Sequence, residues 1–183
     1  MKAIIIVNGY PRAGKDTFID CCLSRFYQLP FGANVFIEKH STVDTVKDIA
    51  KQMGWNGEKT PEMRNMLSEL KDLYTKYFNG PLNEIKNAMN YDGLAIDVVL
   101  FTCIREPEEI RKTVQWAEEN GIKWFTVLVV NPNKEENYHM SHSDAQVLEF
   151  NYSHVIMNDG NLGELADKAL TFSENVIKIC NFK

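Results

Sequence analysis

Two kinds of hydrophobic pattern alternate along this chain. Short apolar runs rich in β-branched and aromatic residues occur at Ile4-Ile5-Ile6-Val7, Val35-Phe36-Ile37, Asp97 to Ile104, Trp124 to Val130 and Val155-Ile156-Met157. The runs at 97–104 and 124–130 have no helical period and predict strands buried on both faces. Between the runs, apolar residues recur at steps of three and four, as in amphipathic helices. The first helix is expected from Asp16 to about Tyr27, with Phe18, Cys21, Cys22 and Phe26 on one side. A second, capped by Ser41 or Thr42, should run through Lys47, Ile49 and Ala50 and end at Gly54.

Thr60-Pro61 is a strong helix start, a capping hydroxyl followed by proline at the first helical position. The stripe that follows, from Met63 through Leu70 and Tyr74 to Phe78, is expected to pack in the core, its end being an alternative base pocket. Arg64 and Lys71 flank it. Pro81 restarts a helix to about Ala88, Pro107 opens one to about Asn120-Gly121, and Ser143-Asp144 can cap a short one through Leu148. Leu162 to Ile179 closes the chain. Pro30, Gly32 and Asn34 mark a loop. Five strands alternating with helices imply an α/β fold, a mainly parallel five-stranded sheet covered on both faces.

The junction after the first strand carries the chemistry. Gly9-Tyr10-Pro11-Arg12-Ala13-Gly14-Lys15 places Gly9, Gly14 and Lys15 at the first, sixth and seventh positions of G-x-x-x-x-G-K-[ST]. The glycines let main-chain amides at residues 9 to 17 turn inward as an anion nest, toward which the next helix points its positive end. Lys15 then supplies a mobile charge for β- and γ-phosphates. The plain alternative is a glycine turn beside a solvated lysine; spacing and the strand–loop–helix context favour a phosphate-binding loop. Asp16 stands where Ser or Thr is usual, and Thr17 follows. Two readings of Asp16 stay open: contact with Mg²⁺, directly or through water, or a cap on the helix's first turn. Thr17 is the hydroxyl expected at phosphate or metal. Arg12 either reaches phosphate or is solvated.

At 183 residues and a net charge of −5, the chain suits one domain whose overall field does not attract nucleic acid polymers. No apolar stretch of about 18 residues could span a bilayer. Cys21, Cys22, Cys103 and Cys180 show neither zinc nor disulfide spacing. With strand residues at the very start, the expectation is a cytoplasmic protein, monomeric or homodimeric, acting on small molecules.

The Gly-Lys-Asp-Thr ending of the loop resembles the adenylate-kinase-like deoxynucleoside monophosphate kinases, especially the phage-type enzymes. Ser41 with Lys47, Gly54 to Lys59 and Arg64 resembles the stretch leading into their acceptor site. Cys103-Ile104-Arg105-Glu106 is similar to their strand-end segment, and Asn158-Asp159-Gly160 to the turn near the donor base. The resemblance implies a three-layer P-loop NTPase fold. Its core would be 1–38 and 95–183, with a helical acceptor-binding insertion at about 40–92 and a lid at about 131–143. It also implies ATP and Mg²⁺ as cofactors and a nucleoside or deoxynucleoside monophosphate as acceptor; the alternatives are another phosphate-bearing acceptor, as in dephospho-coenzyme A or phosphomevalonate kinases, or nucleotide binding without efficient transfer. The donor would bind residues 9–17 with Asn158 and Gly160. Ser41, Lys47, Arg64 and Lys71 would bind the acceptor, and Lys15, Arg64 and Arg105 would act in transfer. Arg64 is otherwise a surface residue, Arg105 otherwise a salt-bridge partner, and Lys39, Lys47 and Lys59 ordinary surface lysines.

Two departures stand out. Cys103 replaces an acidic residue at the strand end. Asp97, at the strand's beginning, cannot substitute for it, which leaves Glu106, Glu108 and Glu109 as alternatives to plain helix-dipole partners. The presumed lid has no arginine, only Lys134, His139 and His142. The two histidines with Tyr138 are expected in a mobile lid rather than at a metal.

Overall fold

The computed structural model describes residues 1–28, 35–58, 60–90, 97–133 and 146–182. The chain divides into two compact units, Met1–His40 with Tyr91–Lys183, and Ser41–Asn90.

The first unit is a five-stranded sheet with helices. Its elements are β1 (Lys2–Asn8), α1 (Lys15–Tyr27), β2 (Val35–His40), β3 (Asp97–Cys103), α5 (Pro107–Glu119), β4 (Lys123–Val130), a 3₁₀ turn (Val147–Glu149), β5 (His154–Met157) and α6 (Leu162–Cys180). The strand order is β2-β3-β1-β4-β5. All four neighbouring pairs are parallel, so every strand brings its carboxyl end to the same edge. β1 lies at the centre, with Ile5 opposite Phe101 on one side and Phe125 on the other. A central strand touched on both faces must be apolar throughout, and Ala3 to Val7 are fully buried.

One face of the sheet is sealed by α1 and α6. Ile5, Val7, Phe101, Val127 and Val129 meet Phe18, Phe26, Leu165 and Phe172 in a single apolar cluster. Phe18 and Phe172 lie 5.6 Å apart, and Phe26 meets Phe101 edge-on at 5.8 Å. Cys22 and Cys180 are buried free thiols, filling small apolar sites. Ile4, Ile6 and Leu100 point to the opposite face by strand alternation and are equally buried; α5 packs against β4.

The second unit holds α2 (Asp44–Gln52), α3 (Pro61–Phe78) and α4 (Gly80–Met89). Thr60 caps α3, its hydroxyl accepting from the Met63 amide at 3.3 Å. Asn79 in the left-handed region ends α3, and Gly80 opens α4. The Tyr74 ring sits where a Gly80 side chain would be. The hydroxyls of Thr45 and Tyr74 donate to the same Glu84 oxygen at 2.6 and 2.9 Å, tying the three helices together.

Two expectations need correction here. α2 is capped by neither Ser41 nor Thr42: Val43 is its N-cap residue and offers no side-chain bond. Ser41 instead accepts the Asp44 amide through its carbonyl. The apolar stripe of α3 is not core, because no residue of that helix is fully buried and Leu73, Tyr77 and Phe78 are exposed. Amphipathic spacing marks the face that turns inward without fixing how deep it goes. The expected loop at 30–34 lies outside the described residues.

Truncating a central side chain should therefore cost far more than truncating the stripe. Phe101→Ala is expected to lose about 3–5 kcal/mol and Leu73→Ala less than about 1 kcal/mol. Urea unfolding followed by circular dichroism of both variants checks the contrast.

Candidate functional site

The site grows from the last polar residue of β1. Asn8 is fully buried, so each of its polar atoms needs a partner. Its Oδ1 accepts the Gly9 amide at 2.8 Å. Its Nδ2 donates to the Arg105 carbonyl at 3.1 Å and to the Tyr152 hydroxyl at 2.6 Å. The Tyr152 hydroxyl in turn donates to the Val147 carbonyl at 2.8 Å. Burial pushes the Tyr152 phenol up to about 12, the Asn8 bond opposing, so it stays a neutral donor. One amide side chain thus fastens the start of the loop, the chain beyond β3 and the segment before β5.

The loop itself has no room for side chains at its two key glycines. Gly9 has φ +146°, and a Cβ there would overlap the Val129 carbonyl of β4. Gly14 has φ +98°, and a Cβ there would strike the Asn158 amide. Between them the Ala13 amide donates to the Tyr10 carbonyl at 3.1 Å, and Arg12 turns through the left-handed region with φ 64°. Pro11 is half-buried and Arg12 exposed. Lys15 opens α1 and folds back, its ammonium donating to the Gly9 and Tyr10 carbonyls at 2.6 and 2.8 Å. The expected amide ring is therefore narrower: the Gly9 and Ala13 amides serve the loop itself. At the start of α1, helix geometry leaves first-turn amides without intrahelical partners; the first such bond runs from the Phe18 amide to the Gly14 carbonyl at 2.9 Å.

Asp16 does not cap α1; Gly14 is the N-cap residue and α1 has no side-chain cap. The Asp16 carboxylate, 80% exposed, lies 2.9 Å from the Lys39 ammonium, which also reaches Asp20 at 3.1 Å. Lys39 is thus no ordinary surface lysine. Burial alone pulls its pKa down, but the bonds to Asp16 and Asp20 outweigh that and the net shift is upward. Thr17 is half-buried on the next position of α1.

Cys103 ends β3 in register with Val7. Burial raises its thiol pKa, while Lys15, Lys39 and Arg105 pull downward and Asp16 pushes up. The thiol is neutral at pH 7 and lies within electrostatic reach of those four charges. Of the glutamates considered in its stead, Glu109 is buried with Lys112 at 2.7 Å and Glu108 lies 3.4 Å from Arg111, while one carboxylate oxygen each of Glu106 and Glu109 is buried without a hydrogen-bond partner among the described residues. Glu106 holds the N-cap position without a side-chain cap bond. Asp97 opens β3 at the opposite edge of the sheet.

After β5, the Asn158 amide N–H donates to the Val130 carbonyl at 2.7 Å. Its side chain donates to the Ala13 carbonyl at 2.9 Å. Gly160 follows, with the Glu164 carboxylate where a side chain would stand. The loop, Asn158, Cys103 and Arg105 thus collect at one edge. Ser41, Lys47, Arg64 and Lys71 belong to the second unit. There Lys47 pairs with Asp44 of its own helix, Arg64 is exposed on the first turn of α3, and Lys71 is half-buried. Lys59 and the presumed lid residues Lys134, Tyr138, His139 and His142 lie outside the described residues. Sequence reasoning missed Asn8, Tyr152 and Lys39. A lone amide closing an apolar run was the signal for Asn8, whereas nothing local pointed to the other two.

No family model matches the chain, and no curated protein sequence does so significantly. Solved structures do match. The APS kinase CysC of Mycobacterium tuberculosis in complex with AMPPNP and APS superposes with a TM-score of 0.52 at 12% identity, covering 94% of this chain and 98% of that one. Its Cys556Ala mutant gives 0.50 at 11%, covering 94% and 97%. The crystal structure of APE1195 gives 0.50 at 11%, covering 96% of each. At such identities the likeness concerns the fold, a three-layer P-loop NTPase fold. No helix among the described residues is long and apolar enough to cross a membrane.

The Asn8 hub makes a sharp prediction. Asn8→Leu keeps the branched shape of the side chain but removes its bonds to the Gly9 amide, the Arg105 carbonyl and the Tyr152 hydroxyl. It should cost about 2–4 kcal/mol, read as a lowered urea midpoint. Tyr152→Phe, which removes one arm of the hub and the bond to the Val147 carbonyl, should cost about 1–2 kcal/mol.

Proposed function

We propose that this chain is an ATP-dependent kinase transferring a phosphoryl group to a nucleoside or deoxynucleoside monophosphate. The observation that carries the reading is the closed loop at the carboxyl end of the central strand, with Lys15 folded across it. Ligands of open α/β sheets bind beyond that edge. The α1 amides and dipole attract phosphate there. Lys15 can exchange two carbonyl partners for phosphate oxygens by rotating its stem, keeping its charge solvated throughout.

Magnesium suits the donors present. Asp16 and Thr17 offer hard oxygens, and Mg²⁺ takes one or two protein ligands with the phosphates completing its shell. Among the described residues no group of three or more His, Cys, Asp or Glu could hold a metal ion. The neutral thiol of Cys103 is a poor partner for such an ion. When bound, the ion neutralises charge on the transferring phosphoryl group. Arg105 is proposed to steady that group from the end of β3. Arg64, with its planar fork, is proposed to hold the acceptor's phosphate.

One observation favours a second reading of the acceptor. A kinase of the same fold was solved with AMPPNP and APS, so another small phosphate-bearing acceptor is the alternative, as is nucleotide binding without efficient transfer.

A coupled ADP-release assay across the nucleoside monophosphates, APS, dephospho-coenzyme A and phosphomevalonate separates these readings. Turnover with a nucleoside monophosphate is expected. Turnover only with another acceptor selects the second reading, and tight Mg²⁺–ATP binding without turnover selects the third. Lys15→Ala should abolish donor binding, seen as loss of the roughly 3 kcal/mol stabilisation that ligand at about a hundred times Kd supplies. Arg64→Ala should raise the acceptor KM at least tenfold and leave the ATP KM unchanged.

A further inference from the structure

We infer that Lys39 is a built-in counter-cation for Asp16 that a divalent metal must displace when the donor nucleotide binds. The inference rests on the donor-site reading above and assigns a positioning residue to it.

A carboxylate directly after the loop lysine repels an incoming polyphosphate. The fold cancels that charge from β2, placing the Lys39 ammonium 2.9 Å from Asp16 and 3.1 Å from Asp20. Asp16 and Asp20 stand four residues apart on α1, on one face, so a single cation serves both. Lys39 is the penultimate residue of β2, paired in register with Phe101. Its backbone is therefore fixed by the sheet while its long stem is free to swing.

The strength of this pairing matters as much as its presence. Asp16 is 80% exposed and Lys39 34% exposed, so water screens the attraction and the pair is weak. A buried pair would lock Asp16 away from metal. An exposed one holds the charge in check and yields to a doubly charged ion already carried on phosphate. Lys39 and the metal therefore compete for one carboxylate, and removing Lys39 has opposite consequences for the two ligands. Metal should bind more tightly, and nucleotide without metal more weakly.

The test measures both. Lys39→Met and Lys39→Gln are compared with the unchanged protein. Mn²⁺ affinity of the AMPPNP-saturated chain is read by paramagnetic resonance of the free ion, and AMPPNP affinity in EDTA by calorimetry. Both variants should tighten Mn²⁺ about three- to tenfold and weaken metal-free AMPPNP by a similar factor. Neither change should appear when Asp16→Asn is already present. A lysine that only staples β2 to α1 would loosen both ligands together, and that outcome, or unchanged Mn²⁺ affinity, overturns the inference. If the unchanged protein binds no AMPPNP under either condition, the donor-site reading itself fails and this inference falls with it.

Discussion

The approach of the Gly9 main chain to the Val129 carbonyl governs this molecule. No side chain fits between the two, so the chain leaving the central strand must pass hard against its neighbour before it can turn. That close passage needs a glycine with φ +146° and a fixed partner for the amide thus buried. Asn8 provides the partner and, with its remaining donors, draws in the ends of two other segments. The loop's shape is thus set by packing and hydrogen bonding within the chain itself. Such preorganisation is what makes a main-chain anion site effective.

Electrostatics then divides the loop region into three settings. Lys15 is solvated by the carbonyls it would leave on binding phosphate. Asp16 is balanced by a lysine from another strand. Cys103, at the strand end where the resemblance leads one to expect an acid, is a neutral thiol because burial outweighs the surrounding cations. With a thiol at that point, the proposed metal role falls chiefly to Asp16, and its pairing with Lys39 gains weight.

Much of the fold was legible because the signals were local. β1, β3 and β4 are continuous apolar runs, as strands touched on both faces must be. Thr60-Pro61 starts a helix by chemistry that the four residues from Thr60 to Met63 contain. The cap of α2 was misjudged because a hydroxyl near a helix start is a tendency, and here the turn sets Val43 at that position. The depth of the α3 stripe was misjudged because periodicity gives direction and not distance. At the site, Gly9, Gly14 and Lys15 could be read from spacing alone. Asn8 with Tyr152, and Lys39 with Asp16, join residues separated by 144 and 23 positions, and only the folded sheet brings them together.

The most direct test of the central claim is amide-resolved nitrogen–proton spectroscopy of the chain titrated with Mg²⁺–AMPPNP. The account predicts that the amides of Gly14 to Thr17 show the largest shifts while those of α3 and the far end of α6 stay still. Unmoved loop amides at saturating nucleotide, with changes confined elsewhere, would contradict it.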